Sequence, residues 1–472
     1  MSATHRPLPP HALALLLALL LALGGCSLAP RTVLTTPPVP TSWPAGDAYL
    51  TRSEAQLPLV SYRDIFRDPR LQTLVEQALA NNRDLRVAAS NLAAARAQVR
   101  VVRADQFPQV GVAASASRER RVGGGTDSAL ALQGGISAFE IDLFGRLANA
   151  SAAQRDRALA TEASARAVRL GLVGDLASAW ANYAADRELF EIARATAAIA
   201  RRSVTLTRAR LNGGVSPRTD VRQAEQVLTT AEGDLARETA ALAQDQNLLR
   251  LLVGAEFDPA LLPRNLGEVI AATAPLPAGT SSAVLLRRPD VVEAEYQLRA
   301  ANADIGVARA RLFPTISLTS LAGLASGALS SLFTGGAFHY SLGADASWSL
   351  FNAGGRLANV EVSRAQRDAA LAGYERAIQN AFREVSDALA DQGTVGERLR
   401  AAGANTAAAA DVARLAEARY HFGVDSFLAS LDAQRSLYAA RRLEVAVRLA
   451  LVQNRIALYR VLGGDQASRP RP

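Results

Sequence analysis

The chain has 472 residues, a formal net charge of +8 and a single cysteine, so no intrachain disulfide can form and the fold must be held by packing. Its basic residues other than four histidines are all arginines, and without lysine there is neither a P-loop nor a Schiff-base nucleophile. The arginines alternate with Asp and Glu instead of clustering, a pattern of solvated helix faces and not of a nucleic-acid surface.

Residues 1–25 hold an arginine near the front, the apolar run 12–23 and then Gly24-Gly25 before Cys26. The run is too short to span a bilayer and ends in small residues, which describes a cleaved signal peptide. Leu23-Gly24-Gly25-Cys26 looks like a lipobox, with Cys26 as the acylated first residue; an ordinary signal with an incidental cysteine is the alternative. By resemblance to bacterial lipoproteins, Ser27 in place of an aspartate favours sorting to the outer membrane. Residues 26–67 form a lipid-anchored tether and N-terminal segment, extended where Pro30, Pro37, Pro38, Pro40 and Pro44 fall.

Asp68-Pro69 is an N-cap followed by proline at the first helical position, and opens a helix expected to run to about Asp105. Strands are expected over 110–117 and 129–144, separated by the polar, glycine-rich stretch 118–127, with a bulge where the alternation changes phase at Ala138-Phe139. A long helix over 146–211 turns at 212–217, where Ser216 is a natural N-cap, and returns to about Leu252. The return helix carries Val221, Leu228, Leu235, Leu242 and Leu249 at seven-residue spacing, and its later counterpart carries Leu431, Tyr438, Val445, Val452 and Tyr459. Such heptads predict antiparallel coiled-coil pairing. Residues 255–281 lack periodicity and read as a segment packed against the helices between two halves.

The halves are a tandem duplication, repeat 1 over 68–254 and repeat 2 over 282–463, followed by a tail over 464–472. Phe107-Pro108 recurs as Phe313-Pro314, Arg146-Leu147-Ala148-Asn149 as Arg356-Leu357-Ala358-Asn359, and Gly214-Val215 as Gly423-Val424. In repeat 2 the even positions of 338–350 are apolar and the odd ones polar or small, as in a strand with oil on one side and water on the other. The helix predicted after it, 356–420, is roughly 100 Å long at 1.5 Å per residue. Two hairpins give four strands, too few to close a barrel, and open edges in hydrocarbon cost several kcal/mol per unsatisfied group. Other subunits must complete the sheet.

The junctions Asp142-Leu143-Phe144-Gly145-Arg146 and Leu350-Phe351-Asn352-Ala353-Gly354-Gly355-Arg356, the Phe-Pro before each hairpin, and Tyr420-His421-Phe422-Gly423-Val424-Asp425-Ser426-Phe427-Leu428 with Leu431-Asp432-Ala433-Gln434 closely resemble the outer-membrane factor family, the TolC-like channels, and within it the NodT-like efflux lipoproteins. The resemblance covers essentially the mature chain. It implies a mixed α and β membrane protein: a homotrimer with a twelve-stranded outer-membrane barrel continued by a twelve-helix periplasmic barrel. It further implies docking to a periplasmic adaptor and an inner-membrane pump of the resistance-nodulation-division (RND) type, with this protein as passive exit duct for drugs and small toxic compounds. The residues themselves show neither metal-ligand spacing nor a nucleophile elbow, so no enzyme activity, no metal, no nucleic acid and no cofactor beyond the lipid on Cys26 are expected. A type I protein-secretion duct is the alternative, and a lipid-anchored coiled-coil scaffold without a pore leaves the hairpins unexplained.

The family narrows its tunnel tip with inward-facing aspartates, and Asp432 matches the constriction carboxylate of the Leu-Asp-Ala motif, with Asp425 as a second carboxylate near the turn. Symmetry-related carboxylates around a narrow axis repel one another, which implies cation preference and raised pKa values. A latch between the first and second turns falls on Asp220 and Tyr420. Some relatives place an arginine where Asp425 stands here, so Arg218 or Arg419 would supply the positive charge. The structural alternative makes Asp425 an N-cap and Asp432 a solvated surface residue. Cys26→Ser is expected to abolish acylation; intact-mass measurement of the purified wild type should find lipid on Cys26, and its absence there would refute the lipobox.

Overall fold

A computed structural model describes residues 27–30, 61–120, 123–124, 126–275 and 282–464. The signal peptide expected over 1–25, Cys26, residues 31–60 of the expected tether and residues 465–472 of the expected tail lie outside the described residues. The described residues form two compact units, one drawn from residues 27–30, 90–120, 123–124, 126–163 and 292–376 and the other from residues 61–89, 164–275, 282–291 and 377–464.

The first unit holds an antiparallel sheet of β1 (Val110–Arg120), β2 (Thr126–Ile141), β3 (Thr315–Ser326) and β4 (Phe338–Ser347), in that order. The two hairpins therefore join through β2 and β3, and β1 and β4 keep their outer edges unpaired within the described chain. Residues directly opposite in the ladder share a face. Register sets Leu132, Leu324 and Phe338 side by side, then Gly134, Ala322 and Tyr340, then Ile136, Ser320 and Leu342. With Val110 and Val112 they make an apolar face left uncovered among the described residues: Val112 is 78% exposed and Leu342 76%. The opposite face carries Ser117, Glu119, Gln133, Ser317, His339, Ser341 and Asp345. The pairing of β2 with β3 slips between Ile136 and Phe139, and Ala138 adopts φ 62° there. An alanine in the left-handed region costs strain that the bulge must hold. Beyond it Arg146 grips Glu140 through Nε–Oε1 at 2.8 Å and Nη2–Oε2 at 2.5 Å.

The stretch expected as a loop over 118–127 is strand at both its ends: Arg118 pairs with Ser128, and Arg120 with Thr126. At the other end β4 stops at Ser347, and Trp348 Nε1 donates to Leu312 O at 3.0 Å.

Helices α1 (Tyr62–Ile65), α2 (Pro69–Asn81), α3 (Arg83–Ala104), α4 (Arg146–Asn212), α5 (Arg218–Val253), α6 (Leu266–Ala272), α7 (Pro289–Ala310), α8 (Gly355–His421) and α9 (Phe427–Val461) complete the described chain with three short 3₁₀ turns. Helices α4 and α8 are each 67 residues long, and no described helix is long and apolar enough to cross a membrane. Asp68 caps α2 by accepting from Arg70 N. The single helix expected over 68–105 is in fact α2 and α3, broken at Asn82, which adopts φ −58° and ψ 136°. Its Nδ2 donates to Leu252 O at 2.9 Å and its Oδ1 accepts from Leu85 N at 3.1 Å, so one buried side chain ends one helix and starts the next.

In the second unit the long helices pair antiparallel. Arg201 meets Glu232 at 2.9 Å and Arg208 meets Glu225 at 2.7 Å along α4 and α5. Arg448–Glu188 at 2.7 Å and Arg460–Asp175 at 2.8 Å join α9 to α4. The heptad positions Val221, Leu249, Leu431, Val445, Val452 and Tyr459 are buried. The segment between the halves closes on this seam: Trp180 Nε1 donates to Leu261 O at 3.0 Å, and Arg455 Nη1 donates to Ile270 O at 2.8 Å and Thr273 O at 2.5 Å, capping the carbonyl end of α6.

One pair within this unit is electrostatically unfavourable. Asp245 of α5 shares a hydrogen bond with Asp186 of α4, and burial together with the neighbouring Asp186 charge pushes Asp245 up to about 7. Burial and nearby Glu238 also raise Asp186. The folded state thus holds this proton more tightly than the unfolded chain does, so the contribution to stability is full below the ordinary carboxylate range and fades as pH rises through about 7. Asp245→Asn is expected to raise the thermal midpoint by a few degrees at pH 8 and to change it little at pH 5, measured by melting the detergent-purified protein at both.

Candidate functional site at the helical reversals

Two reversals, between α4 and α5 and between α8 and α9, share one backbone solution. Gly214 and Gly423 adopt φ 72° and 74°, Val215 N donates to Arg210 O at 3.0 Å, and Val424 N donates to Arg419 O at 2.9 Å. This is a Schellman closure, which satisfies the last carbonyls of a helix through a left-handed residue that glycine adopts without strain. Behind the reversals Val204, Ala224, Phe427 and Leu431 form a buried cluster, with Val227, Leu228 and Tyr420 packed against it. Ser426 caps α9 by accepting from Ala429 N, while α5 starts at Pro217 without a side-chain cap. Val215, Phe422 and Val424 are left 71%, 81% and 62% exposed at the turns.

The four residues expected to act here all lie on this framework. Asp432 sits between buried Leu431 and Ala433, and its side chain is 65% exposed with only Arg435, at 3.9 Å, as a weak neighbour. Neighbours on a helix point about 100° apart, so Asp432 faces away from the buried cluster. Asp425 is gripped at both oxygens by Arg419, Nε–Oδ2 at 2.5 Å and Nη2–Oδ1 at 3.1 Å. It is not the N-cap, a place taken by Ser426. Within the protomer the hydrogen bond from Arg419 holds the Asp425 carboxyl below the usual carboxylate range.

Asp220 and Tyr420 are not hydrogen-bonded to each other in the protomer. Asp220 Oδ2 accepts from Ser216 Oγ at 2.6 Å in the first turn of α5, where the helix dipole also favours a carboxylate. The Tyr420 ring lies 5.3 Å from that of Phe427, tilted at 56°, with the Arg210 guanidinium over it at 4.8 Å. Its hydroxyl is enclosed with no hydrogen-bond partner among the described residues. Arg210 is the member that sequence reasoning missed. Its only signal was its place one turn before the Schellman glycine, matching Arg419 in repeat 2. Cys26 lies outside the described residues.

With this geometry in hand, the comparisons with known proteins are specific. The family model described as outer membrane efflux protein matches residues 74–255 and 280–464. The solvent efflux pump outer membrane protein SrpC of Pseudomonas putida is 39% identical over 454 residues, covering 94% of this chain and 96% of that protein. The cation efflux system protein CusC of Escherichia coli K12 is 37% identical over 445 residues, covering 94% and 97%. The solved open state of the Neisseria gonorrhoeae MtrE outer membrane channel superposes with a TM-score of 0.82 at 31% identity, covering 93% of this chain and 98% of that one. The duplicated hairpins, the long helices and their paired reversals are those of an outer-membrane channel, and the chain belongs to the outer membrane efflux protein family.

Proposed function

We propose that three copies of this chain close a twelve-stranded barrel in the outer membrane and continue it as a twelve-helix periplasmic tunnel. The duct passes small toxic compounds delivered by an inner-membrane RND pump through a periplasmic adaptor. The observation that carries this reading is the sheet of four strands, with one uncovered apolar face and unpaired edges on β1 and β4. Three sheets joined edge to edge give twelve strands, and α4, α5, α8 and α9 of three copies give twelve helices. The chain itself does no chemistry in this scheme; the pump supplies the energy. Cys26 carries the acyl anchor.

Relatives named for solvent, toluene and cation efflux support a small-molecule cargo over a polypeptide one. Exposed Val215, Phe422 and Val424 at the two reversals are the surface offered to the adaptor. Native mass spectrometry of the detergent-purified protein is expected to show a trimer, and a monodisperse monomer or tetramer would sink the assembly. Deletion is expected to sensitise cells to solvents or small antibiotics severalfold; loss of an exported protein with unchanged drug sensitivity would instead make this a secretion duct.

At the tip, Asp432 is the constriction carboxylate and Asp425 its modulated companion. The exposure of Asp432 beside the reversal supports this, and Arg419 leaves Asp425 little net charge to offer a passing ion. Asp220 and Tyr420 act as a latch when neighbouring protomers close, the enclosed Tyr420 hydroxyl supplying the group that needs a partner. In planar bilayers Asp432→Ala is expected to lower cation selectivity and divalent block severalfold, and Asp220→Ala with Tyr420→Phe to raise conductance. Wild-type conductance, selectivity and block in both variants would remove these residues from the tip's function.

A further inference from the structure

The four residues that follow the cysteine are held by a built site. Ser27 Oγ donates to Asn149 Oδ1 at 2.9 Å, Arg309 Nη1 donates to Leu28 O at 3.1 Å, and Asn302 Nδ2 donates to Pro30 O at 2.8 Å. Asn149 belongs to the first turn of α4, and Asn302, Gly306 and Arg309 fall on one face of α7 at successive turns. Asn149 and Asn302 are only 5% and 6% exposed. A Cβ at position 306 would stand 2.9 Å from Ala29 N and 2.6 Å from Asn149 Nδ2, so the peptide lies where only glycine leaves room. Asn149 Nδ2 is buried without a partner among the described residues. Two of the three hydrogen bonds are to backbone carbonyls, so the site reads chain path more than side chains.

The duplication supplies an internal control. Helices α3 and α7 are both 22 residues long and align without a gap. At the places of Asn302, Gly306 and Arg309, α3 carries Arg96, Arg100 and Arg103, and Arg96 reaches across to Glu162 at 2.9 Å. The counterpart of Asn149 on α8, Asn359, is exposed. Room for a peptide is therefore a departure from the repeat, made only in the helix that carries one.

We propose that Asn149, Asn302, Gly306 and Arg309 form a cradle for the chain's own N-terminal segment, which fixes residue 26 beside the junctions where β2 passes into α4 and α7 passes into β3. The cradle ties the first repeat to the second and sets where the lipid enters the membrane. The position of the acyl group rests on the acylation proposed for Cys26; the cradle itself does not.

Limited trypsin cleavage after Arg31, followed by intact mass on the acylated trimer, tests it, because a protease must first free the residues that flank its bond. This bond is expected to resist cleavage in the wild type, and equally in Cys26→Ser secreted behind an ordinary cleavable signal. It is expected to be cut at least tenfold faster in Gly306→Leu and in the double variant Asn302→Ala with Arg309→Ala. The double variant only removes contacts, so it covers the case in which Gly306→Leu fails to assemble. Rapid cleavage in the wild type, or rates unchanged in the double variant, would overturn the cradle. Protection that vanishes in Cys26→Ser alone would overturn it too, by assigning the hold to lipid. Intact mass of the wild type separately reports whether Cys26 is acylated, so failure of that reading is told apart from failure of the cradle.

Discussion

A strand edge in hydrocarbon exposes backbone donors and acceptors that water cannot reach, and each costs several kcal/mol. This sheet has two such edges, on β1 and β4, and an apolar face on which Val110, Val112, Tyr340 and Leu342 are more than 70% exposed. A single copy can satisfy neither demand. Closing the sheet with further copies satisfies both, pairing the edges and giving the apolar face to lipid. Only residues 142–145 separate β2 from α4, and 348–354 separate β4 from α8, so each long helix departs directly from the end of a strand.

The helices meet a different constraint, since they must pack closely over many turns while keeping polar faces. Alanine does much of this. Ala177, Ala181, Ala184, Ala193, Ala197 and Ala200 are buried along α4, where small side chains let a neighbouring helix approach. The charges that do enter the seam are paired. Glu238, 5% exposed, is met by Arg237 at 2.9 Å with Arg442 at 3.9 Å, and Tyr438 donates to Asp234 at 2.8 Å. A buried carboxylate without such partners would destabilise the seam. The Asp186–Asp245 pair is the exception, and it is relieved by retaining a proton.

The periodic features of the fold were legible in the sequence. The alternation of 338–350, the heptads of α5 and α9 and the phase change at Ala138 each map onto a local rule, and the structure places strand, seam and bulge there. What escaped was set by partners distant in the chain. Asn82 breaks a good helical run because Leu252 supplies the carbonyl that its amide needs. Residues 118–120 look like loop because charge and glycine surround them, yet they continue the ladder. Asp186 and Asp245 are unremarkable until two helices bring them together. At the reversals the residue types were readable, but Arg419, expected as one of two arginines that could supply the latch's positive charge, is taken up by Asp425, and the Arg210 guanidinium over Tyr420 and the tie between Asp220 and Ser216 depend on side-chain directions that sequence does not carry.

The bulge in β2 also acts as a correction of phase. Before it, the even-numbered residues Leu130, Leu132 and Ile136 face lipid; after it, the odd-numbered Phe139 and Ile141 do. Had the strand kept its original phase, Glu140 would have turned toward hydrocarbon and left Arg146 without the carboxylate it now grips. A hairpin assembled one residue out of step therefore carries a charge to the lipid face, an error that costs more the deeper it is buried. The left-handed Ala138 is the local cost of that change of phase, set against the larger cost of a carboxylate on the lipid face.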